Sequence, residues 1–320
     1  MKKLVGFEKG INLGGWLSQC DYSEDRLDNF ITEPAFAKIA RWGLDHVRLP
    51  IDYNILEREQ EDGSIAYLEK GFERIENAVL LAKKYDLHIV IDLHKTAGFS
   101  FDHNEREGGF FESEKYQQRF ISLWEQLAER FAKYSDIAAF ELLNEVTEQH
   151  FIGVWNSVTE QCIKVIRKYA PDIPVLVGSY WNNSPDAVPD LASPYDENVF
   201  YNFHCYAPLH FTHQGAHWTR EIDQEARFTF EEANITPDIF EKSFIKAIEK
   251  AEAEGTGVYC GEYGVIDKAQ PEDALKWFKM IHSVFEKFGI ARAAWSYKEM
   301  DFGLSDSRMK GVIDELIKYL

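Results

Sequence analysis

The chain alternates between two hydrophobic patterns. Short runs rich in Val, Ile, Leu and aromatic residues recur between longer stretches whose apolar residues fall three and four apart. The short runs read as buried strands and the longer stretches as amphipathic helices. Strands are predicted at 10–16, 46–52, 88–94, 137–145, 175–182, 199–206, 257–264 and 291–298. A helix is predicted from Thr32-Glu33-Pro34 to Gly43, because Thr can cap, Pro is tolerated in a first turn and Gly stops a helix. The next carries Phe72, Ile75, Val79 and Ala82 on one face. Others are predicted from Ser113 to about Tyr134, over 153–169, from Thr236-Pro237 to about Glu254, from Pro271 onward, and at the C-terminus to Leu320. The acidic stretch 21–28, and 53–67, 99–112 and 207–236, read as loops.

Strand–helix alternation implies parallel strands. Eight units in 320 residues suit an α/β fold, a closed (β/α)8 TIM barrel, as one catalytic domain over residues 1–320. An open doubly wound sheet would carry GxGxxG after its first strand, and the turn here is Asn12-Leu13-Gly14-Gly15-Trp16. Connections entering strands are short, as at 44–45, 87, 135–136 and 255–256, whereas those leaving strands are long. In a barrel every leaving loop lies on the C-terminal face of the strands, where active sites sit.

Composition narrows the partners. The apolar share of 45% supports a sizeable core, and 54 Asp+Glu against 35 Lys+Arg give a formal charge of −19. Such a surface disfavours nucleic acid and anionic membranes, and suits a neutral partner such as a sugar polymer. Four cysteines without a CxxC pair read as free thiols, not a disulfide framework. Lys2 and Lys3 are not followed by an apolar h-region, so no export signal is expected in the chain as written. No cofactor is expected, and the protein is expected to be a monomer.

The predicted strand ends carry Asn12, Arg48, His94, Asn144, Glu145, Trp181, His204, Tyr206, Glu262 and Trp295. Each has a plain structural alternative: Arg48 as an ion-pair partner, His94 and His204 as satisfied core histidines, Trp181 and Trp295 as core. Glu145 and Glu262 are harder to explain as packing, because a buried carboxylate is costly unless paired or hydrogen-bonded. They are expected to face each other across one site. A metal site is the rival: His210, His213 and His217 lie close in sequence, and Asp92-Leu93-His94 ends a strand. The first strand offers Asn12 and no histidine pair, so no metal is expected. A non-catalytic sugar-binding barrel is the other rival.

The motifs NLGGW at 12–16, HVRLP at 46–50, FELLNE at 140–145, HCY at 204–206 and GEYG at 261–264, with the Trp295 strand, resemble glycoside hydrolase family 5, the cellulase family. The resemblance runs in order along nearly the whole chain. It implies a retaining endo-β-glucanase acting on β-1,4 and mixed-linkage β-1,3/1,4 glucans, with exo-β-1,3-glucanase or β-mannanase activity as alternatives. It also implies Glu145 as acid/base and Glu262 as nucleophile, with Arg48 and Tyr206 holding Glu262. Asn144 would bind the sugar 2-hydroxyl, His94 and His204 would line the same subsite, and Trp295 would stack beneath the sugar. Trp181, Trp16 and Tyr180 are candidates for flanking subsites, and 211–218 is expected to shape one end of the cleft.

Overall fold

The computed structural model describes residues 1–102, 105–219 and 222–320. Two residues in each of the loops 99–112 and 207–236 thus lie outside the described residues. Eight parallel strands close into a barrel: β1 (Lys9–Asn12), β2 (His46–Asp52), β3 (His88–Lys95), β4 (Ala138–Glu141), β5 (Val175–Val177), β6 (Val199–Cys205), β7 (Val258–Tyr263) and β8 (Ala291–Ala294). Each strand pairs with its sequence neighbours, and β1 closes the ring on β8.

The side-chain alternation of a strand divides the core. On β2 and β3, Val47, Leu49, Ile51, Ile89, Ile91 and Leu93 pack outward against the helices. Val90, Ala139, Leu176, Phe200, Tyr259 and Ala293 form a separate interior layer, joined by Leu4 and Phe7 from the N-terminal segment. One layer further along, the interior positions turn polar, with Arg48, Asp92, Glu141 and Asn202 all buried. Register aligns this layer: Asn12 pairs with Arg48, Asp92 with Glu141 and, past a bulge, His204 with Glu262.

Several expected boundaries move. β1 stops at Asn12, β4 at Glu141, β5 at Val177 and β8 at Ala294. Strands of a closed barrel diverge at their ends, so ladder pairing ends before the apolar pattern does. Single bonds still tether the continuation, from Leu142 N to Leu176 O at 3.2 Å and from Asn144 N to Leu93 O at 3.0 Å. Gly14 follows β1 where Trp295 comes close; a Cβ there would lie 2.8 Å from the indole ring. The acidic loop contains a helix, Glu24–Asn29, whose Ser23 side chain accepts from Arg26 N. The 53–67 loop contains an antiparallel pair, Glu57–Glu59 with Ile65–Tyr67. Thr32, Ser113 and Thr236 take the cap positions of Glu33–Arg41, Glu114–Phe131 and Pro237–Ala253 without side-chain capping bonds. The expected closing helix is instead a set of short turns from Ser307 to Tyr319, broken near Gly311. All four cysteines are free, and no helix of the described residues is long and apolar enough to cross a membrane.

Candidate active site

The site is built outward from Arg48. It is fully buried on the inner face of β2, and all five guanidinium N–H donors have acceptors. Nε and Nη2 donate to the two oxygens of Glu141, each at 2.7 Å. Nη1 donates to Asn12 Oδ1 and Glu262 Oε1, both at 2.8 Å, and Nη2 also reaches Asn144 Oδ1 at 2.9 Å. Asp92 Oδ2 lies 3.0 Å from Nη2 and completes a ring of three carboxylates around one cation. Burial works against the Arg48 charge, but Asp92, Glu141 and Glu262 outweigh it and raise its pKa. Burial pushes Asp92 up to about 7, and it raises Glu141 as well, against the pull of Arg48. Asn202 ties the ring to β6, donating to Glu141 Oε1 at 2.8 Å.

Glu262, near the end of β7, receives a donor at each oxygen, Arg48 at Oε1 and the Tyr206 hydroxyl at Oε2, both at 2.8 Å. Burial, then the Glu262 charge, raises the Tyr206 pKa well above the ordinary phenol value, so this hydroxyl stays protonated and donating.

Glu145 sits four residues beyond β4 with φ +30°, a backbone region that ordinary side chains avoid. Its Oε1 lies 2.8 Å from His204 Nδ1, and its Oε2 accepts from Asn182 Nδ2 at 3.0 Å. Burial raises the Glu145 pKa, although Asn182, His94 and Arg48 oppose the shift. Burial also drops His204 to about 4, so the imidazole is neutral near pH 7. A neutral ring that donates from Nδ1 accepts at Nε2, where Asn183 Nδ2 lies 3.3 Å away. The two asparagines reach these positions because the chain after β5 makes a left-handed turn. Trp181, Asn182 and Asn183 have φ of 53°, 56° and 57°, where a continued strand was expected.

The strand-end residues thus fall into groups. Asn12, Arg48, Asn144, Tyr206 and Glu262 form one hydrogen-bonded network, and the bonded pair Glu145 and His204 stands beside it, with His204 Nδ1 3.7 Å from Glu262 Oε2. His94 Nδ1 lies 2.6 Å from Asp92 Oδ2, and its ring is parallel to Trp295 at 5.8 Å. Trp295 packs with Ala216, Ile266 and Phe302. Trp181 stands at the rim, 53% exposed. The other two candidates for flanking subsites are buried: Trp16 Nε1 donates to Leu27 O, and Tyr180, edge-on to Trp181 at 4.9 Å, donates to Asp190. Segment 211–218 backs the site, with His213 edge-on to Tyr206 at 4.8 Å and Ala216 against Trp295. Glu141, Asn202, Asn182 and Asn183 were not foreseen. Glu141 and Asn202 left a signal, a carboxylate and an amide inside apolar strands.

Glu145, His204 and Glu262 present one ligand-type atom each, all within 4.8 Å of one another. Among the described residues no other group has such spacing; His210, His213 and His217 instead pack against Phe228, Tyr206 and Trp218.

Comparison with known proteins follows the same lines. The model of the cellulase family, glycosyl hydrolase family 5, matches residues 8–301. Cellodextrinase A of Ruminococcus flavefaciens is 56% identical over 91% of this chain and 86% of its own length. Endoglucanase C of Acetivibrio thermocellus is 35% identical over 99% of this chain and 98% of its own. A hyperthermophilic endo-β-1,4-glucanase solved with substrate superposes with TM-score 0.80 at 27% identity, covering 94% of this chain and 92% of that one. The cellulose synthase subunit Z of Clostridioides difficile superposes with TM-score 0.83 at 28% identity, covering 98% and 99%. With the barrel, the carboxylate pair and these relatives in agreement, the chain belongs to glycosyl hydrolase family 5, the cellulases, and is a glycoside hydrolase.

Proposed function

We propose that the protein hydrolyses β-1,4 and mixed-linkage β-1,3/1,4 glucans with retention of configuration, as a monomer of one catalytic domain. The observation that carries the reading is the pairing of Glu145 and Glu262, whose facing oxygens approach within 4.8 Å in contrasting surroundings. Retaining glycosidases hold their carboxyl groups about 5–5.5 Å apart, whereas inverting ones leave about 6.5–9.5 Å for a water.

Glu145 is the proton donor. Burial favours its neutral form, and neutral His204 and Asn182 fix its direction. As it protonates the glycosidic oxygen, Glu262 attacks the anomeric carbon and the sugar–oxygen bond breaks. Arg48 and Tyr206 aim that attack. The ester removes the charge on Glu262, so the Glu145 pKa falls and Glu145 becomes the base for the incoming water. Asn144 has its Oδ1 committed to Arg48, and its Nδ2 has no partner among the described residues, leaving a donor for a sugar hydroxyl. Trp295 and His94 offer the apolar wall against which the ring lies. The cellodextrinase and endoglucanase names of the relatives support soluble glucans and oligosaccharides as substrates.

The test is reducing-sugar release from barley β-glucan, carboxymethyl cellulose, laminarin and mannan, with Glu262→Ala alongside, and NMR of the first-formed anomer. Release from the first two, lost in the variant, with the β anomer first, is expected. Release from laminarin or mannan alone overturns the substrate, and the α anomer first overturns retention. A variant as active as its parent overturns the site.

A further inference from the structure

Glu262 faces the barrel interior against the count of its own strand. Side chains of a strand alternate between two faces. On β7, Val258 and Cys260 pack outward with the helices, and Tyr259 lies in the interior layer. Two residues past Cys260, Glu262 belongs outward by that count. It lies inside instead, bonded to Arg48 and Tyr206, and Tyr263 after it is outward again. The neighbouring β6 keeps strict alternation: Phe200, Asn202 and His204 face inward, and Tyr201, Phe203 and Cys205 outward.

The register locates the change of face. Phe203 pairs with Cys260, and the next pair is His204 with Glu262. Gly261 is the extra residue, a β-bulge, and it lets two consecutive residues turn inward. A Cβ on Gly261 would lie 2.9 Å from Asn202 Oδ1 and 3.0 Å from His204 Nε2, so a side chain there has to push both aside.

A bulge disrupts the ladder around it and is rare between parallel strands. Here two side-chain amides hold the extra residue. Asn202 Oδ1 accepts from Gly261 N at 3.0 Å, and Asn202 Nδ2 donates to Glu141 Oε1 at 2.8 Å. Asn12 Nδ2 donates to Gly261 O at 2.9 Å and to Ala293 O and Ala294 O at 3.2 Å each. Asn12 Oδ1 accepts from Arg48 Nη1 at 2.8 Å. Both asparagines are fully buried. On the outer face, the Cys260 thiol donates to Glu262 O at 3.3 Å. A short cycle results. Arg48 Nη1 holds Glu262 Oε1 directly and, through Asn12, the backbone one residue before it.

We propose that the Gly261 bulge turns Glu262 into the barrel, and that Asn202, together with Asn12, is a positioning residue that fixes the turn. Asn202 bonds to Glu141 and to the Gly261 peptide, so it acts through the backbone of Glu262. Reacting atoms must sit about 3–3.5 Å apart, and a misplacement of about 1 Å costs roughly a hundredfold in rate. The nucleophile role of Glu262 rests on the glycosidase reading above; the bulge and its clamp do not.

The test is labelling of the intact protein by a dinitrophenyl 2-deoxy-2-fluoro-β-cellobioside. A Glu262 oxygen forms a bond to the anomeric carbon, the bond from that carbon to the dinitrophenyl oxygen breaks, and dinitrophenolate leaves with the electron pair. This leaving group needs no proton from Glu145, so the rate reads the nucleophile. The fluorine slows hydrolysis of the ester, and mass spectrometry of the Glu262 peptide follows its accumulation. Asn202→Ala opens the clamp and Gly261→Ala wedges it. Each is expected to slow the labelling step about tenfold to a hundredfold, with the half-saturating concentration within about twofold of the parent's. Melting curves establish that each variant is folded, and two variants guard against one failing. A role in stability alone lowers the melting temperature and leaves the labelling rate of the folded protein unchanged. Crystal structures of the variants read the geometry apart from the reaction, and the Arg48–Glu262 contact is expected to open beyond hydrogen-bond range. Three results overturn the clamp: labelling of both folded variants at the parent's rate, a change confined to the half-saturating concentration, or an unmoved Glu262 in both crystal structures. If the parent itself is not labelled at Glu262, the retaining reading falls, and the crystal structures decide the clamp.

Discussion

Replacing Arg48 with Met keeps the side chain's length and removes its charge. Asp92, Glu141 and Glu262 are then left facing one another inside the barrel, with Arg48 no longer supplying its five N–H donors. Removing one partner of a buried ion pair costs about 3–5 kcal/mol. At about 2 °C per kcal/mol, the low end suited to a long chain, melting falls by roughly 6–10 °C. The sign of the pH dependence follows from linkage. Asp92 already sits at about 7 with the cation present, and losing Arg48 pushes Asp92 and Glu141 further up. A carboxyl whose folded pKa is raised stabilises the fold while protonated and loses that contribution as pH rises. The deficit of Arg48→Met is therefore largest near pH 8 and shrinks toward about pH 5. Arg48→Lys restores the charge but not the planar fork, and falls between the two. Thermal melts of the three proteins across this range are the assay. A deficit under about 2 °C, or one that does not vary with pH, would refute the view that Arg48 neutralises desolvated carboxylates.

Two further outcomes follow from the site. Asn182→Ala removes a donor that favours the charged form of Glu145, so the alkaline limb of kcat/KM moves to higher pH and kcat falls about twofold to tenfold; a limb that stays put or moves to lower pH counts against the Asn182 role. Dialysis against EDTA leaves the rate unchanged, whereas added Zn²⁺ competes with substrate, because Glu145, His204 and Glu262 offer ligand atoms within 4.8 Å; initial rates at varied glucan concentration check this, and non-competitive inhibition contradicts it.

Much of the architecture was legible in the chain. Strand and helix periodicities are local signals, and long connections after strands against short ones before them put the elaboration on one face before any contact was known. Glu145, Glu262 and Arg48 stood out too, because charged groups within or at the ends of apolar runs are costly to bury. What periodicity could not give was where pairing stops. β4 and β5 end before their apolar runs do, since closure of the barrel, not residue type, ends the ladder.

The tertiary structure alone decided who meets whom. Arg48 and Glu262 are 214 residues apart, and only barrel closure brings them to 2.8 Å. Asn182 and Asn183 reach Glu145 and His204 through a left-handed turn that no local propensity announces. Trp16 and Tyr180 are sequence neighbours of site residues, yet both side chains are buried, Trp16 with its N–H bonded to Leu27 O in the core and Tyr180 with its hydroxyl bonded to the exposed Asp190. Sequence by itself determines which residues must be buried and which are expensive to bury. Register and loop path determine which of those expensive groups compensate one another, and the chemistry depends on that pairing.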